Sequence, residues 1–247
     1  GGVCLKRRKL NTNKVMGILF FFLLLTLGTC FFLKSDFFYL KEVVINNNKY
    51  LSKNEVENLL NLEMDKNIFF YNLKNLENKV KANSYIQNCK IKRKLPDKLI
   101  VNIKEKNIIG PLYNGKSYCY MDDKGNFIDE IKTTKDDEIV IYVDYNLSNK
   151  SIKFKKESDK KKLITLCTKL KEENILMQIK NIDFKNKSVI NLKGETGLVV
   201  CLKKDNNIEK NVIKLRNVLI DLKNRKEVYG KVDSTYNDYI LYSPYSN

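Results

Sequence analysis

The longest uninterrupted apolar stretch of the chain lies close to its N-terminus, at residues 15–33. It reads VMGILFFFLLLTLGTCFFL and contains no charged side chain. As a helix rising 1.5 Å per residue, it would span about 28 Å, close to the thickness of the hydrocarbon core of a bilayer. The pattern therefore predicts a transmembrane helix at residues 15–33.

The charges on either side of this stretch predict its orientation. Basic side chains precede it without any acid, at Lys6, Arg7, Arg8, Lys9 and Lys14. By the positive-inside rule, residues 1–14 are a cytoplasmic basic tail and the chain beyond Leu33 is extracytoplasmic. Two alternatives stay open, namely a cleaved signal peptide and a lipoprotein, because Leu27–Cys30 is close to a lipoprotein cleavage box. We expect an uncleaved single-pass anchor in the plasma membrane.

Strand and helix patterns then follow one another across residues 36–106 in the order β-α-α-β-β. Residues 37–46 are apolar and β-branched, as in a strand. Ser52 and Glu55 have the spacing of a capping box, which predicts the start of a helix. The last strand alternates apolar and polar side chains, so one of its faces should point into a core. The residues of that face are Leu99, Val101 and Ile103.

The remaining residues, 107–247, have short strand patterns interrupted by two helical ones. The helical patterns cover residues 158–173 and the apolar positions from Ile208 to Leu222. The strands are expected at residues 139–143, 175–184, 188–192, 198–202, 228–233 and 239–242. The predicted fold class is therefore α+β. A transmembrane helix precedes a β-α-α-β-β domain and a β-rich domain of mixed or antiparallel sheet with two helices.

The composition argues against an enzyme. The chain has no His, which excludes Ser-His-Asp and Cys-His systems and His-ligated zinc. Its adjacent carboxylates, at 122–123, 136–138 and 172–173, cannot face each other within one strand or helix, so we expect them in solvated turns. The six Cys form no CxxC motif. They are expected to be small buried side chains, although a disulfide stays possible. No catalytic residue, metal or cofactor is predicted.

The net charge of +17 raises the question of an anionic partner. Lysines are dense between Lys153 and Lys162. Outside the cell, such a surface could meet an anionic wall polymer or lipid headgroups. Nucleic acid is not expected there. The plainer interpretation is a solvated helix start.

Several motifs, taken in order, resemble the FtsQ/DivIB family of bacterial division proteins. The strand ending at Val43–Ile45 and the segment Asn67–Phe69 are similar to parts of the family's POTRA domain. The stretch from Ile86 to Lys106, with Arg93-Lys94-Leu95-Pro96 inside it, resembles the most characteristic part of that domain. Residues 118–128 resemble the hairpin that follows it. The resemblance covers nearly the whole chain.

The resemblance implies a domain order and a function. The chain would consist of a tail at 1–14, a span at 15–33, an FtsQ-type POTRA domain at 36–106 and an FtsQ/DivIB β-domain at 107–247. It would be a divisome scaffold at the division septum that binds FtsB/DivIC-like and FtsL-like single-span proteins and helps coordinate septal peptidoglycan synthesis. A POTRA-containing transport or assembly module and a membrane-anchored cell-wall enzyme stay open as alternatives.

The resemblance also implies where a partner binds. In the family, the C-terminal strands end in an edge that takes up a strand from a partner, which is β-augmentation. Val232-Asp233 match the family's pattern at this point, whereas Ser234 and Thr235 depart from it. The predicted partner-binding residues are Tyr236, Tyr239, Ile240, Leu241 and Tyr242. The alternative is that these tyrosines only cover the core.

Overall fold

The computed structural model describes residues 12–227, 229–236 and 239–245, without the side chain of Met177. The chain divides into two compact units, Gly1–Glu105 and Lys106–Asn247.

The described α-helices are α1 Thr12–Leu33, α2 Lys53–Leu60, α3 Leu73–Lys81, α4 Glu157–Glu172 and α5 Ile208–Asn224. The strands of the first unit are β1 Glu42–Asn46, β2 Ile86–Lys94 and β3 Lys98–Glu105. Those of the second are β4 Ile108–Tyr113, β5 Tyr118–Asp122, β6 Phe127–Ile131, β7 Val140–Tyr142, β8 Tyr145–Ser148, β9 Ser151–Phe154, β10 Ile179–Asp183, β11 Val189–Gly194, β12 Val199–Lys203, β13 Gly230–Ser234 and β14 Leu241–Pro244.

Helix α1 is a continuous apolar helix of 22 residues with no buried side chain. It starts three residues before the predicted span and ends at Leu33, as predicted. Its length and composition fit a single-pass membrane anchor. Most of the predicted cytoplasmic tail, including Lys6, Arg7, Arg8 and Lys9, lies outside the described residues.

After α1, the first unit is a three-stranded sheet with two α-helices, in the chain order predicted from the sequence. The strand order is β1-β3-β2, with β1 parallel and β2 antiparallel to the central strand β3. The capping box of α2 is confirmed, because Ser52 Oγ accepts from the Glu55 N–H at 3.2 Å and the Glu55 carboxylate accepts from the Ser52 N–H at 2.7 Å. Leu99, Val101 and Ile103 all point into the core, as predicted.

The prediction of a strand from residue 37 was wrong, because β1 starts only at Glu42. Residues Asp36–Phe38 form a 3₁₀ turn instead. This turn buries Phe38, and Leu40 behind it is fully buried. The apolar run therefore covers one end of the core rather than extending the sheet.

Glu105, at the end of β3, fixes the loop that precedes α2. Its carboxylate accepts hydrogen bonds from the backbone N–H groups of Lys49, Tyr50 and Leu51, at distances of 2.9–3.1 Å. Hydrogen bonds to a charged acceptor are among the stronger ones in proteins. The side chain thus ties the end of β3 to the start of the helical part of the unit.

The second unit is built on a nine-stranded sheet with the order β14-β13-β12-β11-β10-β7-β4-β5-β6. Helices α4 and α5 pack together and contribute to a single core. The predicted inward side chains of α5 are all buried, and they are Ile208, Val212, Leu215, Leu219 and Leu222.

Several details of this unit differ from the prediction, and strand β4 was not predicted. The hairpin β8–β9 was missed; its turn residues Asn149 and Lys150 both have positive φ, and a Lys there gives no turn signal. Residues Leu176–Gln178 form a 3₁₀ turn before β10. Strand β14 begins at Leu241, two residues later than expected, and Val228, the predicted start of β13, lies outside the described residues.

Candidate functional site

Strand β14 forms one edge of the nine-stranded sheet. It pairs antiparallel with β13, with Asp233 opposite Leu241 and Val232 opposite Tyr242. No strand within residues 12–227, 229–236 and 239–245 pairs with its outer side. The backbone groups on that side are therefore available to an added strand.

The five predicted partner-binding residues divide into two groups around this edge. Tyr236, Tyr239 and Leu241 are exposed, with 47%, 58% and 47% of their surface accessible. Ile240 and Tyr242 are half-buried and pack against the core. The Tyr242 hydroxyl also donates to the Tyr229 carbonyl at 2.9 Å. Tyr242 thus packs on the core, whereas Tyr236 and Tyr239 face outward.

Tyr236 and Tyr239 form a flat aromatic surface beside the edge. Their rings are stacked, with centroids 4.7 Å apart and an interplanar angle of 15°. They border a groove of about 310 Å³ whose opposite wall is formed by α5. The helix contributes Asn211, Lys214, Asn217 and Val218 to that wall. A side chain of an added strand could enter this groove next to the two rings.

The segment that carries Tyr236 is fixed by Asp233, whose role was not predicted. Its carboxylate accepts from the Thr235 hydroxyl at 2.6 Å and from the Thr235 N–H at 3.1 Å. The hydrogen bond from the Thr235 hydroxyl is the main cause that lowers the pKa of Asp233, and an ion pair with Lys231 at 3.2 Å also contributes. The Asp-x-Thr spacing is typical of such local turns and could have indicated this role. Thr235, which departs from the family's pattern, is therefore used to hold the turn.

The opposite edge of the same sheet is different in character. Strand β6 ends the sheet there and exposes two acidic side chains, Asp129 and Glu130. Charged side chains on an edge strand discourage pairing with another chain. Strand β14 has no charged residue among Leu241–Pro244. The sheet thus has one edge suited to strand addition.

The adjacent carboxylates at 122–123, 136–138 and 172–173 have structural roles, and the expectation that they lie in solvated turns was wrong for Asp122. Asp122 is buried and accepts from the N–H groups of Lys124 and Asn126, which closes the β5–β6 turn. Glu138 accepts from the Tyr120 hydroxyl at 2.6 Å. Glu173 pairs with Lys169 and Arg216. Among the described residues, no group of three potential ligands could hold a metal ion.

The four cysteines that follow α1 in the two folded units are small buried side chains, as predicted. Cys89, Cys119, Cys167 and Cys201 are all buried as free thiols. Burial raises the pKa of Cys89 and of Cys119 to about 11 and that of Cys167 to about 12. These thiols are therefore protonated near neutral pH and are poor nucleophiles.

The lysine-rich segment at the start of α4 is partly neutralised by acids. Lys155 pairs with Asp144 at 3.2 Å, and Lys160 pairs with Glu157 at 4.0 Å. Behind it lies Lys204, whose buried ammonium group donates to Asp159 at 3.2 Å and to the Phe184 carbonyl at 2.9 Å. Burial lowers the pKa of Lys204. No sequence signal distinguished this lysine from its exposed neighbours.

Comparisons with known proteins agree with the fold of the first unit. Residues 38–106 match the model of the POTRA domain, FtsQ-type. The cell division protein DivIB of Clostridium tetani is 28% identical over 225 residues, which cover 87% of this chain and 82% of that protein. DivIB of Clostridium botulinum strain Loch Maree is 25% identical over 238 residues, covering 94% of this chain and 91% of the relative. An FtsQ-type POTRA domain, together with similarity to DivIB proteins along almost the whole chain, supports the resemblance to the FtsQ/DivIB family of cell division proteins.

Proposed function

We propose that this protein is a non-enzymatic scaffold of the divisome that captures a β-strand of another single-span division protein on β14. The observation that carries the proposal is the uncharged edge strand with two stacked, exposed tyrosines beside it. An added strand would gain backbone hydrogen bonds, each worth about 0.5–1.5 kcal/mol net. Exposed aromatic side chains are typical anchors at the centre of an interface.

The partners that suit this edge are FtsB/DivIC-like and FtsL-like proteins, which are anchored in the same bilayer. In this proposal, residues 1–14 are cytoplasmic and α1 crosses the membrane. Residues 36–106 and 107–247 form the POTRA domain and the β-domain outside the cell, at the septum. Anchoring both partners in one membrane raises their effective concentration, so that a modest edge interaction suffices.

Co-purification together with depletion tests this function. We expect the full-length chain, extracted in mild detergent, to carry FtsB/DivIC-like and FtsL-like proteins with it. We expect cells depleted of the chain to grow as unseptated filaments, and a plasmid copy to restore septation. Normal septation after depletion, or an envelope assembly defect without filaments, would contradict the proposal.

The proposed orientation gives a separate prediction. Protease added to intact protoplasts should digest the chain beyond Leu33, because the basic residues from Lys6 to Lys14 keep the N-terminus inside. A tag on each terminus, followed by immunoblotting, measures which end is lost, and permeabilised protoplasts serve as the control in which both are lost. Replacing these basic residues by Gln should weaken the orientation. Protection of the C-terminal tag in intact protoplasts would refute the topology.

A further inference from the structure

The POTRA domain contacts the end of the membrane helix through one short turn. The side-chain amide of Asn67, only 2% exposed, donates to the carbonyl of Leu33 at 2.8 Å and to that of Ser35 at 3.4 Å. Leu33 is the last residue of α1. The 3₁₀ turn Ile68–Phe70, which follows Asn67, is therefore held at the point where the chain leaves the apolar helix.

The backbone of this turn is fixed from the other side by Arg93 of β2. The guanidinium group donates to the carbonyl of Ile68 at 2.8 Å and to that of Tyr71 at 2.7 Å. The Phe69 N–H also donates to the side-chain oxygen of Asn67 at 3.0 Å. Because both ends of the turn are hydrogen-bonded, the side chains of Phe69 and Phe70 are presented in a defined direction.

These side chains belong to an exposed aromatic patch, which we define as Phe37, Phe69 and Phe70. They are 53%, 39% and 63% exposed. Phe38 lies beneath the patch, with ring centroids 5.1 Å from Phe37 and 5.2 Å from Phe69. The same cluster continues into α1, since the Phe37 ring stacks on Phe32 at 5.7 Å. The patch is thus continuous with the apolar surface of the membrane helix.

A contiguous aromatic patch in water is unfavourable unless something covers it. Here its position identifies the cover, because the patch adjoins the last turn of a helix that lies in lipid. Aromatic and apolar side chains at this level of a membrane protein sit in the boundary between headgroups and acyl chains. The exposed cation of Lys34, directly after α1, lies where it can meet headgroup phosphates.

The geometry points to an interfacial anchor: Phe37, Phe69 and Phe70 insert into the outer leaflet of the bilayer that α1 crosses and hold the POTRA domain against the membrane surface. The occupant of the patch is lipid. This inference rests on the membrane anchoring in the proposed function. It adds that the POTRA domain is docked on the bilayer and does not swing freely on a linker.

The absence of Trp from the sequence allows a direct test. The full-length chain with Phe70→Trp is placed in phosphatidylcholine–phosphatidylglycerol vesicles, with or without acyl-brominated lipids. We expect bromine to lower the emission of this single Trp about twofold or more, because the ring lies about 5–10 Å into the interface. Phe37→Trp is a second probe of the patch, used should Phe70→Trp fail to fold. Lys49→Trp, at the far end of β1, is the matched control and should be unaffected.

Phe22→Trp, near the middle of α1, tests the membrane anchor separately from the interfacial anchor. If Phe22→Trp is quenched while neither patch probe exceeds Lys49→Trp, the interfacial anchor is overturned and the membrane anchor stands. If Phe22→Trp is not quenched, the membrane anchor fails and the inference falls with it. Quenching of Phe22→Trp and of a folded patch probe, but not of Lys49→Trp, supports both. Circular dichroism of each variant shows whether the fold is retained.

Discussion

Val101→Asp should abolish cooperative unfolding of the POTRA domain, whereas Asn102→Asp should leave it folded. Val101 is completely buried in the central strand β3, between the pairing partners Ile45 and Ile91. A carboxylate there must either lose its hydration or take up a proton, at a cost of several kcal/mol. That cost is a large part of the roughly 5–15 kcal/mol that stabilises an ordinary domain.

Asn102 is the matched control because the same residue is introduced one position away, on the other face of β3. Its side-chain oxygen accepts from the Asn46 amide at 3.1 Å, and Asp retains that acceptor. Calorimetry combined with limited proteolysis of the full-length chain in detergent measures the loss of the first unit. Equal damage by the two substitutions would mean that the assigned faces of β3 are incorrect.

Proline variants at β14 are expected to separate binding of a partner from stability. The N–H groups of successive residues in an extended segment point to opposite sides. Ile240 directly precedes β14 and Leu241 is its first residue, so one of the two N–H groups should face the β13 side and the other should face outward. Proline removes the N–H and is tolerated on an edge strand. The variant that loses the outward donor should abolish capture of the partner while the protein melts normally. The other should lower the melting temperature.

Removing the two outward tyrosines tests the aromatic part of the same edge. Tyr236→Ala with Tyr239→Ala should cost about 2 kcal/mol or more of binding free energy, which is about thirtyfold in Kd. The matched control is Tyr50→Ala with Tyr85→Ala, a second stacked pair with centroids 6.2 Å apart in the other unit. Binding is measured by titration of detergent-solubilised partner. If neither the proline variants nor the double variant weakens binding more than about twofold, β14 is not the site.

The features that sequence reasoning found are those set by local spacing. The capping box of Ser52 and Glu55, the alternation around Val101 and the helical spacing of Leu215 all depend on a few neighbouring residues. Each of these patterns is typical of one kind of element, either a helix or a strand. The strand order β1-β3-β2 was not predicted, because the pairing joins residues far apart in sequence.

The features that escaped prediction depend on the tertiary environment. Lys204 and Asp122 look like ordinary surface residues until the fold surrounds them with partners. Tyr239 and Tyr242 were treated alike, although β14 starts only at Leu241 and turns Tyr242 toward the core. Local spacing predicts that a strand exists but does not fix its first residue, so the later start of β14 could not be predicted.

The contrast between the two edges of the nine-stranded sheet limits how large an assembly it can build. The acidic side chains of Asp129 and Glu130 disfavour pairing at β6, which leaves β14 as the edge of this sheet that suits an added strand. Two copies that paired through β14 would use both receptive edges and stop at a closed dimer. One captured partner strand would likewise occupy the outer side of β14. In the proposed function, the sheet would therefore take up a single added strand, and the charged edge at β6 would protect it from runaway fibre formation.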